Sequence, residues 1–223
     1  MQPDAARFRQ ESGAALANGA LRRNLHRAMH TIRNRRNERF AELTDGPALQ
    51  WIGHAIRRRA LAALPELLEQ LEAKLRSRGI QVHWAETPAE ANAIVLGIAR
   101  RRGVELVVKG KSMVSEETGL NAFLAAQGIE AIEADLGEFI VQLAGQTPSH
   151  IVVPAVHLSR QEIADLFHRT LGEPYTEDVG ALTALARRVL REKFQQAGMG
   201  LTGVNFAVAE TGTLALVENE GNG

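Results

Sequence analysis

The sequence predicts an α/β protein: a mainly parallel sheet flanked by helices over residues 79–223, a helical N-terminal extension over 1–78, and a C-terminal β-hairpin. Three observations predict it. From residue 80 onward short apolar runs alternate with segments of helix length, the pattern of right-handed βαβ crossovers. The first 78 residues read instead as amphipathic helix, broken at Gly46-Pro47 and with a kink or junction at Pro65. At the other end, Val204 to Ala209 and Leu214 to Glu218 flank Glu210-Thr-Gly-Thr213, which reads as a hairpin or a sharply bent strand.

Each element has a local reason. From Leu21, the apolar residues Leu25, Ala28, Met29, Ile32, Phe40 and Leu43 recur at helical spacing while arginines fill the other positions. Ile80 to Trp84 reads as a short strand. Thr87-Pro88-Ala89-Glu90 supplies an N-cap, a proline at the first helical position and a glutamate at the third, opening a helix to about Arg102. Val104 to Val108, bounded by Gly103 and Gly110, suits a strand buried on both faces. A helix over about 115–127, a strand over 129–133, a short helix near 136–144 and a strand over 151–153 follow. Ser159-Arg-Gln-Glu162 is a capping box whose helix stops at Gly172. A last helix spans about 178–197, and Gly198-Met-Gly200 reads as the loop releasing the chain into the hairpin.

Composition bounds the function. The chain has 223 residues, 45% hydrophobic and 23% charged, which excludes disordered, collagen-like and coiled-coil classes. It has no cysteine, so disulfides, thiolate zinc sites, cysteine nucleophiles and cysteine-ligated iron–sulfur clusters are excluded from this chain. The longest uncharged stretch, 139–159, contains Gly145, Gln146, Pro148, Ser149 and Pro154 and is not a membrane span. With no apolar signal region at the N-terminus, a cytoplasmic location is expected. Net charge is zero, yet residues 1–60 carry twelve Arg against five acids, a net +7 that the remainder offsets. The basic run lacks interleaved aromatics, so it predicts a solvated face or a partner-protein surface and no nucleic-acid binding. His26 and His30 share a helix face, but no HExxH frame or third ligand accompanies them, so no metal site is expected.

Parallel sheets bind ligands at the carboxyl ends of their strands, and chemistry is sought there. Lys109-Gly-Lys111-Ser112 follows one strand. A P-loop is rejected, because its first glycine would fall on Glu105. What remains is Lys109, Lys111 and Ser112 before a helix start bearing Glu116, Glu117 and Asn121, a mixed set suited to a ligand with acidic and donor groups or to internal ion pairs. His157 lies beyond the strand 151–153. Glu210, Thr211 and Gly212 offer a carboxylate, a hydroxyl and open backbone amides, and Glu220 follows the last strand. A tight turn explains Thr211-Gly212-Thr213 equally well.

The segments VVKGKSMVSEETGLNAFL, GIEAIEADLGEFIVQLAG, PSHIVVPAVH, LGEPYTEDV and GVNFAVAETGTLALVENEGNG resemble the LUD-domain family of iron–sulfur proteins, and the likeness runs through nearly the whole chain. The resemblance implies a fold similar to the NagB/RpiA/CoA-transferase group and work in a three-component cytoplasmic system oxidising L-lactate to pyruvate. It also implies two [4Fe–4S] clusters in a part beyond the final GNG, so this chain is expected to be the cysteine-free domain alone. The expected partners are the other components of the lactate system and a small carboxylate or organic ligand. The alternative is a stand-alone ligand-binding or group-transfer enzyme of the CoA-transferase or folate cyclo-ligase type of fold.

Overall fold

A computed structural model describes residues 5–110, 112–149, 153–218 and 220–223. In chain order the described elements are α1 (Ala5–Ala17), α2 (Gly19–Ala41), α3 (Gly46–Ala62), α4 (Leu64–Ser77), α5 (Pro88–Arg101), β1 (Leu106–Gly110), α6 (Met113–Glu117), α7 (Leu120–Ala125), β2 (Glu130–Glu133), α8 (Leu136–Leu143), α9 (Arg160–Leu171), α10 (Val179–Gln196), β3 (Met199–Thr202), β4 (Phe206–Val208) and β5 (Thr213–Ala215). Two compact units divide the chain: Met1–Gln50 with Ile140–Leu182, and Trp51–Phe139 with Thr183–Gly223.

The second unit carries the sheet. Its strand order is β2-β1-β3, with both pairings parallel, so the expected mainly parallel α/β arrangement is present. All five residues of β1 are buried, as the apolar run 104–108 predicts for a central strand. Val107, Ala99 of α5 and Leu124 of α7 are fully buried, and Val104, Leu120, Ile129 and Ala131 complete their cluster. Thr87 caps α5 by accepting from the Glu90 amide at 3.2 Å, with Pro88 in the first turn. The antiparallel pair β4 and β5 is the expected hairpin. Its turn depends on Gly212, which has φ +67° and comes so near α4 that an added Cβ would lie 2.9 Å from the Lys74 Cβ.

The structure corrects four local expectations. The third strand of the sheet is Met199–Thr202, where a loop was expected. Gly198 is there because a Cβ at that position would meet Val104 Cγ2 at 3.2 Å, and the Gly198 amide donates to the Leu106 carbonyl. Residues 80–84 form no strand. Their polar groups go to α4, through Ile80 N to Leu75 O at 3.1 Å, Arg76 to Val82 O at 3.3 Å and Trp84 Nε1 to Glu72 at 2.9 Å, and no strand edge receives them. The single helix expected over 115–127 is two, α6 and α7, parted at Gly119, whose φ of +65° no helix continues through. The strand expected at 204–209 is confined to β4, and that at 214–218 to β5. Of the strand expected over 151–153, Ile151 and Val152 lie outside the described residues and Val153 is not in a strand.

In the first unit Asn18 ends α1 and caps α2, its Oδ1 accepting from Leu21 N at 3.0 Å. Ser159 and Glu162 form the expected capping box on α9, which ends at Gly172 with φ +71°. Ala164, Leu166 and Phe167 of α9 are buried there.

Candidate functional site

The parallel register aligns Lys109 on β1 with Glu133 on β2, so their side chains leave the same face of the sheet at its carboxyl end. Lys109 is only 1% exposed. Its Nζ lies 2.5 Å from Glu133 Oε1 and 2.7 Å from Glu116 Oε1. Glu116 reaches it because the chain turns directly from β1 into α6, capped by Ser112, whose hydroxyl accepts from Ser115 N at 3.3 Å. Asn121, on α7, donates its Nδ2 to Glu133 Oε1 at 2.8 Å. The break at Gly119 that separates α6 from α7 is held from α5 by Asn92, which donates to the Thr118 carbonyl at 2.8 Å.

Two further carboxylates follow β2. Asp135 is buried and accepts from Asn222 Nδ2 at 3.0 Å, and Leu136 N donates to Glu220 Oε2 at 3.1 Å. Residues 220–222 therefore fold over the end of the sheet, close to Gly110. Glu138 stands beside these groups. Burial, then the nearby charges of Glu133 and Asp135, then a hydrogen bond with Asp135, push its carboxyl up to about 7, against the pull of Lys109. Burial also pushes the Glu133 carboxyl above the usual carboxylate range, opposed by Lys109 and Asn121. Among the described residues one ammonium thus stands beside four carboxyl groups, and one of those retains a proton near neutral pH. Such a group can give or take a proton at working pH, the property required of a general acid or base. Asn121 Oδ1, Glu138 Oε2 and Asn222 Oδ1 are buried with no hydrogen-bond partner among the described residues.

Of the residues singled out in the sequence, Lys109, Ser112, Glu116, Asn121 and Glu220 come together at this face. The charge of Lys109 is met within the protein, as in the internal ion-pair alternative. Lys111 lies outside the described residues. Glu117 is exposed. Glu210 is exposed on the hairpin turn, where the hydroxyls of Thr211 and Thr213 pair at 2.8 Å and Gly212 is buried against α4. His157 belongs to the first unit, where its Nε2 meets Gln146 Oε1 at 2.6 Å and its Nδ1 meets the Ser149 hydroxyl at 2.6 Å. Glutamine's oxygen only accepts, so Nε2 donates in the first of these bonds. Glu133, Asp135, Glu138 and Asn222 were not singled out from sequence. The rule that directs attention to polar residues behind each strand, applied to Glu133-Ala134-Asp135, would have found the first two.

A [4Fe–4S] cluster requires cysteine thiolates, and this chain has none, so its residues do not fit one. Among the described residues no group of three or more His, Asp or Glu is arranged to hold a metal ion. Nor is any described helix long and apolar enough to cross a membrane.

The LUD domain model matches residues 68–223. Over 223 residues the chain is 39% identical to lactate utilization protein B of Bacillus pumilus, covering 100% of this chain and 47% of that protein. It is 40% identical over 223 residues to the protein of the same name from a Geobacillus species, with the same coverage. Against that of Bacillus subtilis it is 38% identical over 217 residues, 97% of this chain and 45% of the relative. The chain spans about half the length of the curated relatives it matches. No solved structure matches it.

Proposed function

We propose, from the premise that the chain belongs to the LUD-domain family, that it is the cysteine-free domain of a lactate-utilization protein and serves the oxidation of L-lactate as a docking and ligand-binding module. The observation that carries the reading is the likeness of the entire chain, at 38–40% identity, to proteins named lactate utilization protein B. The strand order β2-β1-β3 with flanking helices supports a fold of the NagB/RpiA/CoA-transferase kind. The [4Fe–4S] clusters that carry electrons in this reading lie outside this chain, and the compartment is the cytoplasm.

Within the domain, the face built from Lys109, Glu116, Asn121, Glu133 and Glu138 is the part equipped for chemistry on a small carboxylate. Lys109 holds Glu116 and Glu133 in place, Asn121 orients Glu133 and has an acceptor to offer, and Glu138 holds or releases a proton. The docking role falls to α2. Arg22, Arg23, Arg27, Arg33 and Arg35 form no ion pair among the described residues, and this unpaired positive charge suits an acidic partner surface. The test is L-lactate-dependent acceptor reduction by the full-length protein reconstituted with the other components. Glu116→Gln and Asn121→Ala should each slow it several-fold, and unchanged rates with both would reject the strand-end site.

A further inference from the structure

Beside this face, and entirely within the second unit, a cavity of about 690 Å³ opens between α10 and the segments just after β2 and at 220–222. Its size is within the range of about 300–1,000 Å³ that holds small organic ligands. Two rows of side chains on α10 form one wall. Ala186, Leu190 and Phe194 recur every four residues as an apolar strip, and Arg187 and Arg191, also four apart, form a parallel cationic strip. Neither arginine has an ion pair among the described residues. Leu136 and Ala134 supply apolar surface opposite, from the carboxyl end of β2.

The remaining wall sets the polar requirement. Asn222 donates its Nδ2 to Asp135 at 3.0 Å, which fixes the amide and leaves Oδ1 as a buried acceptor with no donor among the described residues. Such an acceptor calls for an O–H or N–H from whatever enters. Glu220, also on the wall, has one carboxylate oxygen taken by the Leu136 amide.

We infer that this cavity is a binding site for an amphipathic organic anion: a carboxylate or phosphate monoester held by Arg187 and Arg191, a ring-sized apolar body against Leu190 and Phe194, and a hydroxyl or N–H donor to Asn222 Oδ1. The inference goes beyond the lactate-linked reading, because a three-carbon acid would leave most of the cavity empty. Two guanidinium groups one helical turn apart suit the paired oxygens of either anion.

Isothermal titration calorimetry on this chain tests it, with 3-phenyllactate as the carboxylate probe and pyridoxine 5′-phosphate as the phosphate probe. L-lactate and inorganic phosphate control for simple anion binding, and 3-phenylpropionate lacks the donor. At least one of the two ring-bearing probes should bind ten-fold or more tightly than the small anion of its own class, which also tells the two anion classes apart. Arg187→Gln and Arg191→Gln should each weaken that binding at least ten-fold. Both arginines are exposed, so the variants should melt with the parent, and Phe194→Ala gives a second check through the apolar wall. If 3-phenyllactate is the ligand, 3-phenylpropionate should bind more weakly. The proposal is overturned if neither ring-bearing probe binds, if L-lactate or inorganic phosphate binds as well as its ring-bearing counterpart, or if both arginine variants bind like the parent. None of these outcomes involves electron transfer, so failure here is distinct from failure of the lactate-linked reading.

Discussion

Replacing Lys109 with methionine removes the one cation that the strand-end cluster holds among the described residues, while keeping most of its apolar stem. Glu133, whose side chain is 6% exposed, would then keep the hydrogen bond from Asn121 and lose its countercharge, with Asp135 and Glu138 close by. The least costly response is protonation. Breaking a buried pair by removing one partner costs roughly 3–5 kcal/mol. The sign of the pH dependence follows. The variant's folded state binds one more proton than its unfolded state, so its stability falls as pH rises from the unfolded value toward the raised folded one, by up to about 1.4 kcal/mol per unit. Urea denaturation at pH 7 and pH 5 reads both effects: the variant should be several kcal/mol less stable than the parent at pH 7, and the gap should narrow at pH 5. Equal midpoints at pH 7, or a gap that does not narrow, would refute the reasoning.

Glu138 supplies a pH dependence in the parent protein. Its carboxyl is raised to about 7, so the folded state holds a proton that the unfolded state releases above about 4.5, and this contribution to stability is lost as pH rises toward 7. Glu138→Gln should flatten the fall in melting midpoint between pH 5 and pH 8, and an unaltered profile would count against the buried proton. Gly212→Ala forces an L-residue to φ +67° and sets its Cβ 2.9 Å from Lys74, so it should cost more than the about 1–2 kcal/mol of the left-handed conformation alone. Gly119→Ala, at φ +65° with open space around it, should cost only that conformational part; equal losses in chemical denaturation would show that the hairpin does not press on α4. Ser159→Ala removes the hydroxyl half of the α9 capping box and should lower stability by about 1 kcal/mol.

The sequence makes the elements with strong local signals legible. Thr87-Pro88 and Ser159-Glu162 mark their helix starts because caps are local chemistry, and the uninterrupted apolar run behind Gly103 marks the central strand because both of its faces are covered. Where structure depends on a distant partner, the reading falters. Residues 80–84 have a strand's composition but no neighbouring strand among the described residues, whereas 199–202 pair with β1 despite Gly198 and Gly200, one of which is required by the nearness of Val104. The site divides the same way. Lys109, Glu116 and Asn121 lie within one short stretch and could be singled out together. Glu133 joins them only through the register of β2 on β1, and Asn222 through a contact 87 residues away with Asp135. The second leaves no mark in local spacing.

The proposed role places a domain without cysteine in lactate oxidation through its strand-end carboxyl cluster. The most direct measurement is the rate of L-lactate-dependent acceptor reduction by the full-length protein carrying Glu138→Gln, reconstituted with the other components, with cluster content checked by electron paramagnetic resonance. The variant's rate should be at least ten-fold below the parent's with clusters at parental occupancy. A rate equal to the parent's would contradict the proposed role.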